Sequence, residues 1–125
     1  MIKIEKYKSD KISVRLTNKG KERVAEFYFD LLQIKKPGKW DGKWRIVIFD
    51  IPNRFKSARE ALRHKIKELG LKQLQKSVWV YPYDCEDEIL LIAEVFEVHR
   101  YIEIITAERL LHANVIKDKF RNLLT

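Results

Sequence analysis

Trp40-Asp41-Gly42-Lys43-Trp44-Arg45-Ile46-Val47-Ile48-Phe49-Asp50-Ile51-Pro52 is the stretch on which the fold of this 125-residue chain turns. Ile46 to Phe49 form an unbroken apolar run, β-branched at its first three positions. That is the pattern of a strand buried on both faces. The run ends in a carboxylate, Asp50, and then Pro52, which has no N–H to give a ladder. Asp50 is therefore expected at a sheet rim, within reach of ligands and metal ions.

Toward the C-terminus, Phe55, Ala58, Leu62, Ile66 and Leu69 recur at helical spacing. They predict a helix from about Arg54 to Leu69, with Gly70 as its stop. Leu71–Lys76 and Ser77–Tyr83 read as strands. Asp84 is expected to cap a helix over Glu86–Phe96, Tyr101–Thr106 to form the last strand, and Asn114 to cap a short helix ending at Leu124. The order β-α-β-β-α-β predicts an α+β, ferredoxin-like domain, an antiparallel sheet with two helices on one face. The other face is expected to be open. Three tryptophans and several tyrosines are available to cover it, and a homodimer burying it is the economical solution. Trp44, Trp79 and Tyr81 are expected as packing or dimer residues, with stacking on a base open to any that is exposed.

Toward the N-terminus, Ile2 and Ile4, then Ile12, Val14 and Leu16, alternate about the turn-forming Lys8-Ser9-Asp10-Lys11. This predicts a hairpin, followed by a helix capped by Thr17 and running from about Asn18 to Gln33. Lys35-Lys36-Pro37-Gly38-Lys39 reads as a basic linker. The expected units are thus residues 1–34, the linker 35–39, and the domain 40–125.

The chain carries 26 Lys+Arg against 18 Asp+Glu, a formal net charge of +8. An excess of this size favours a polyanion as partner, nucleic acid above all. Lys56, Arg59, Arg63 and Lys67 fall on one stripe of the first predicted helix of that domain, spaced to follow successive phosphates. Lys35, Lys36, Lys39 and Arg54 complete the candidate contact set. The same spacing also fits an ordinary solvated helix face. Acids gather from Asp84 to Glu108, so the molecule is expected to be electrically polar. A single cysteine, Cys85, excludes an intramolecular disulfide and a cysteine-based zinc centre. It reads as a plain small residue. No apolar run approaches the ~20 residues of a membrane span, and the alternating N-terminus is unlike a signal peptide. A cytoplasmic location is expected.

Candidate chemistry rests on Asp50. One carboxylate is a poor Mg²⁺ site, but two brought together across a dimer axis would hold one hydrated ion against phosphate oxygens. The alternatives are that Asp50 caps the next helix or pairs with a nearby arginine. His64, His99 and His112 lack metal-ligand spacing, and the four glycines form no phosphate loop.

Trp40 to Arg45, Phe49-Asp50-Ile51-Pro52, the basic helix, and Gln75-Lys76-Ser77-Val78-Trp79-Val80-Tyr81-Pro82 together resemble the central domain of the phenylacetate-pathway repressors, the PaaX-like regulators. That domain is in turn similar to the CRISPR-associated endonuclease 2 family, through a first strand ending in Asp, a basic helix, and a Lys-Ser-Val strand. Both relatives imply a ferredoxin-like fold and a homodimer. Ile2–Leu16 and the step Leu16-Thr17-Asn18-Lys19-Gly20-Lys21 resemble the wing and connecting helix of a winged helix-turn-helix. The recognition helix that precedes the wing in those regulators has no counterpart in these residues, so backbone contacts to duplex DNA are expected in place of base reading. The principal reading is a transcription-regulator domain. The alternatives are a CRISPR adaptation subunit working beside an integrase, as a Mg²⁺-dependent endonuclease or as a DNA-holding scaffold, and a non-enzymatic protein-interaction dimer.

Overall fold

A computed structural model describes residues 31–124. The predicted wing hairpin lies outside the described residues, as does the predicted helix before Leu31. Residues 32–43 contain no helix or strand. From there the chain forms strand β1 (Trp44–Phe49), a 3-10 turn (Asn53–Phe55), helix α1 (Lys56–Leu69), strands β2 (Lys72–Gln75) and β3 (Val78–Tyr81), helix α2 (Glu86–Phe96), a second 3-10 turn (His99–Tyr101) and strand β4 (Ile102–Ala107). Two short helices follow, α3 (Ala113–Lys119) and α4 (Arg121–Leu124). The fold is α+β, and the core has the β-α-β-β-α-β order that the sequence predicts.

The sheet is antiparallel throughout, in the order β2-β3-β1-β4. The apolar run takes one of the two inner strands, where both faces are shielded. Val47 stands between Trp79 and Ile104, and Ile46 between Val80 and Ile105. These neighbours point to opposite faces, yet Val47 is 0% and Ile46 8% exposed.

Turn chemistry fixes the ends of the helices. Gly70 closes α1 in the left-handed region at φ 105°, its N–H shared between the Ile66 and Lys67 carbonyls. The left-handed backbone favours glycine there, and a Cβ would in addition crowd the Tyr81 ring at 3.3 Å. Helix α2 opens on Glu86, Asp87 and Glu88, which complement its dipole. Its cap differs from the sequence expectation. Cys85 holds the cap position, while Asp84 accepts from the Glu86 N–H at 3.1 Å, an Asx turn just outside the helix.

Cys85 is buried beneath that turn. Burial, followed by the Glu88 and Asp84 charges, pushes its thiol up to about 12. At pH 8 almost none of it is thiolate, the reactive form. Native protein should therefore leave Cys85 unmodified by Ellman's reagent at pH 8, with one thiol titrating after denaturation. Rapid labelling of the native protein would mean that this corner opens.

Two further expectations are corrected. Asn114 does not cap the last helix. It is the second residue of α3, which breaks at Phe120 before α4 begins. The sheet face expected to be open is closed within the chain at its Trp44 end. Val80 is 0% exposed, Trp40 meets Trp44 edge-on with ring centroids 4.9 Å apart, and Phe120 lies 6.0 Å from Trp44 and 5.9 Å from Tyr81. The Tyr83 hydroxyl donates to the Leu123 carbonyl at 2.9 Å, holding the end of the chain in place. What stays open is the margin at β4, where Ile105 is 45% exposed. Among the described residues no helix is long and apolar enough to cross a membrane.

Candidate nucleic-acid interface

The Trp40–Arg45 motif braces the approach to the site. Arg45 donates to both carboxylate oxygens of Asp41, at 2.9 and 2.6 Å, and to the carbonyls of Lys43 and Pro82 at 3.1 and 2.9 Å. Asp41 also accepts from the Lys43 N–H, and the Trp40 indole N–H donates to the Lys43 carbonyl. Gly42 makes the turn possible at φ 82°. The Arg45 hydrogen bond, with that from Lys43, lowers the Asp41 carboxyl to about 2, so the brace stays charged at neutral pH. These residues join the loop before β1 to the loop after β3, and their work is structural.

Beyond β1, Asp50 stands exposed at the sheet rim, and its N–H donates to the Tyr101 carbonyl at 3.1 Å. Its carboxylate has no hydrogen-bond or ion-pair partner among the described residues. It does not cap a helix, because the following 3-10 turn starts from Pro52 without a side-chain cap. The nearby arginines are engaged elsewhere. Arg54 donates to the Tyr101 hydroxyl at 3.3 Å, and Arg59 donates to the Ile51 carbonyl and to Asn53 Oδ1 at 3.3 and 3.1 Å. No group of three His, Cys, Asp or Glu side chains able to hold a metal ion occurs among the described residues. One carboxylate per protomer does not fit a resident Mg²⁺, which keeps octahedral oxygen coordination and resists dehydration.

The predicted cationic stripe divides in two. Lys56 and Lys67 are exposed near opposite ends of α1 and make no ion pair with the described residues. The helix separates them by about 16 Å. Arg59 and Arg63 are half-buried on the shoulder of the apolar face. Arg63 donates to both oxygens of Glu60 at 3.0 Å, and Arg59 ties the 51–53 loop to the helix. A change at either arginine would disturb the fold as well as the charge. Lys65 has its stem almost wholly buried, 4% exposed, and meets Glu68 at 2.7 Å.

Lys35, Lys36 and Lys39 lie exposed on the irregular segment ahead of β1. Leu31 to Ile34 and the Glu68–Leu69 end of α1 line one shallow depression. The segment therefore reaches Lys35 from the end of α1 that carries Lys67. Helix α1 has no acid in its first turn and a lysine there, which the dipole disfavours. Arg54, also exposed, precedes it.

Trp44, Trp79 and Tyr81 are all buried, so none can stack on a base. Among the described residues the exposed aromatic is Phe55, expected on the apolar stripe but 39% exposed. It lies 6.0 Å from the ring of half-exposed Tyr101. Arg54-Phe55 and Arg100-Tyr101 are both arginine–aromatic pairs in sequence, the one signal that could have marked them.

A family model described as the PaaX protein central Cas2-like domain matches residues 37–119. A search of curated proteins and a search of solved structures each found no significant match.

Proposed function

Because the chain belongs to the family of the PaaX protein central Cas2-like domain, we propose that it is a non-catalytic, nucleic-acid-holding regulator domain that grips the phosphate backbone of duplex DNA. One observation carries this reading. Lys35, Lys36, Lys39, Lys56 and Lys67 are exposed and make no ion pair among the described residues. Along the helix the last two stand about 16 Å apart, or some five phosphates along one strand. Of the acids on α1, Glu60 is held by Arg63 and Glu68 by Lys65, and further acids sit on and around α2. The reading includes an N-terminal wing unit in residues 1–34 and a homodimer. The dimer edge in this reading is β4. Strand β2 is short, bulged and lysine-bearing, devices that blunt an edge, whereas β4 has six residues, no lysine and an exposed Ile105.

A second reading, a Mg²⁺-dependent nuclease or CRISPR adaptation subunit, is favoured by the exposed, unpartnered carboxylate of Asp50 at the strand end. It requires a second Asp50 across the dimer axis. Labelled duplex DNA with Mg²⁺ or EDTA, for the wild type and Asp50→Ala, separates the two. The expected result is binding without cutting, within twofold for both proteins and steeply weakened by salt. Mg²⁺-dependent cutting lost in Asp50→Ala would make the protein a nuclease. Absence of binding would leave the protein-interaction dimer.

A further inference from the structure

Phe55, which is exposed, and Tyr101, which is partly exposed, form an aromatic pair at the Asp50 end of the sheet, with ring centroids 6.0 Å apart at 43°. Each ring carries a guanidinium. Arg54 lies 5.0 Å over Phe55, and Arg100 5.4 Å over Tyr101. Arg54 also donates to the Tyr101 hydroxyl at 3.3 Å, linking the two halves. The Asp50 N–H binds the Tyr101 carbonyl, so the pair is anchored to the rim of the inner strand.

The core does not account for this placement. A phenylalanine that is 39% exposed has left apolar area in water, while the larger rings of Trp44 and Trp79 fill the interior. Neither arginine has a carboxylate partner among the described residues, so both charges remain available to an anion. Desolvation raises the Tyr101 phenol, but the hydrogen bond from Arg54 and the Arg100 charge outweigh it, and the phenol ionises below its ordinary value. Two rings inclined at 43°, each with a guanidinium over it, match an unpaired nucleotide, with its base against a ring and its phosphate on the arginines. A base still stacked in a duplex cannot offer its face in this way.

We propose that Phe55 and Tyr101, flanked by Arg54 and Arg100, bind an unstacked base at a single-stranded end or flap of nucleic acid. This inference rests on the phosphate-binding reading above and adds to it the class of strand that is bound. The lysine surface would hold the duplex, and the aromatic pair would take the nucleotide beyond its end.

The test is fluorescence anisotropy of the full chain with a blunt DNA duplex and with the same duplex bearing a short single-stranded overhang. Wild type should bind the overhang substrate roughly tenfold more tightly. Phe55→Ala and Tyr101→Ala should each remove most of that preference while leaving blunt-duplex affinity within twofold. Tyr101→Phe, which keeps the ring, should retain it. Photocrosslinking from a 4-thiothymidine in the overhang should label Phe55 or Tyr101. Equal affinity of wild type for the two substrates overturns this inference and leaves duplex binding standing. Binding of neither substrate removes the phosphate reading and this one with it. Parallel loss of blunt and overhang binding, with a halved molecular mass in light scattering, would overturn the inference by making the pair a subunit contact.

Discussion

Changing Lys35, Lys36, Lys39, Lys56 and Lys67 together to glutamine should weaken duplex-DNA binding by roughly 10³-fold near physiological salt, if each lysine neutralises one phosphate. The same change should reduce the slope of log affinity against log salt by about 4 to 5, because each lost contact no longer releases a counterion. Fold and stability should be nearly untouched. All five side chains are exposed, and none takes part in a hydrogen bond or ion pair among the described residues. Titrations at several salt concentrations, with circular dichroism as control, check this. An affinity within threefold of wild type would place the binding surface elsewhere. Arg59 and Arg63 are poor probes for this purpose, since Arg59 holds the loop after Asp50 and Arg63 is clamped on Glu60.

Phe120→Ala should cost about 3 to 5 kcal/mol, the usual range for removing a buried phenylalanine. Phe120 is 3% exposed, its ring edge-on to Tyr81 and tilted against Trp44. The loss thus combines transfer and cavity terms with two aromatic contacts. Its effect extends beyond the site of change, because the same segment seats Lys117 over the Trp40 ring at 5.5 Å and the Leu123 carbonyl on Tyr83. Melting should fall by roughly 10 to 20 °C for a domain of this size. Tryptophan emission should shift to the red as Trp44 meets water. A loss below about 1 kcal/mol would show that the C-terminal helices rest on the sheet without supporting it.

These two experiments separate two uses of the same small domain. The lysines contribute little to holding the fold together, and Phe120 contributes nothing to binding charge. A result in which both variants lost binding and stability alike would mean that the surface and the core are coupled through the segment ahead of β1, where Trp40 sits next to Lys39.

The sequence by itself determined the skeleton. Each strand and helix from Trp44 to Ala107 was legible because local periodicity and punctuation agree. A β-branched run, a 3.6-residue stripe, the glycine stop at Gly70 and the acidic start of α2 all act over a few residues. It also determined that Asp50 would stand at a rim, since a strand that runs into a carboxylate and a proline can end in no other way. What only the tertiary structure decided were matters of competition between distant groups. Arginines read as free cations became ties, because Glu60, Asn53 and the Ile51 carbonyl lie within reach once the helix is formed. The sheet face expected to be open was closed at its Trp44 end because Trp40 and Phe120, far apart in sequence, both converge on Trp44. Phe55 sits in helical phase with the core yet stays exposed, since it lies in the 3-10 turn before α1, where the stripe no longer faces the sheet. Periodicity reports which face of an element is apolar. Which partners then occupy that face, and which charges remain unspent, depends on contacts between residues that the linear chain keeps apart.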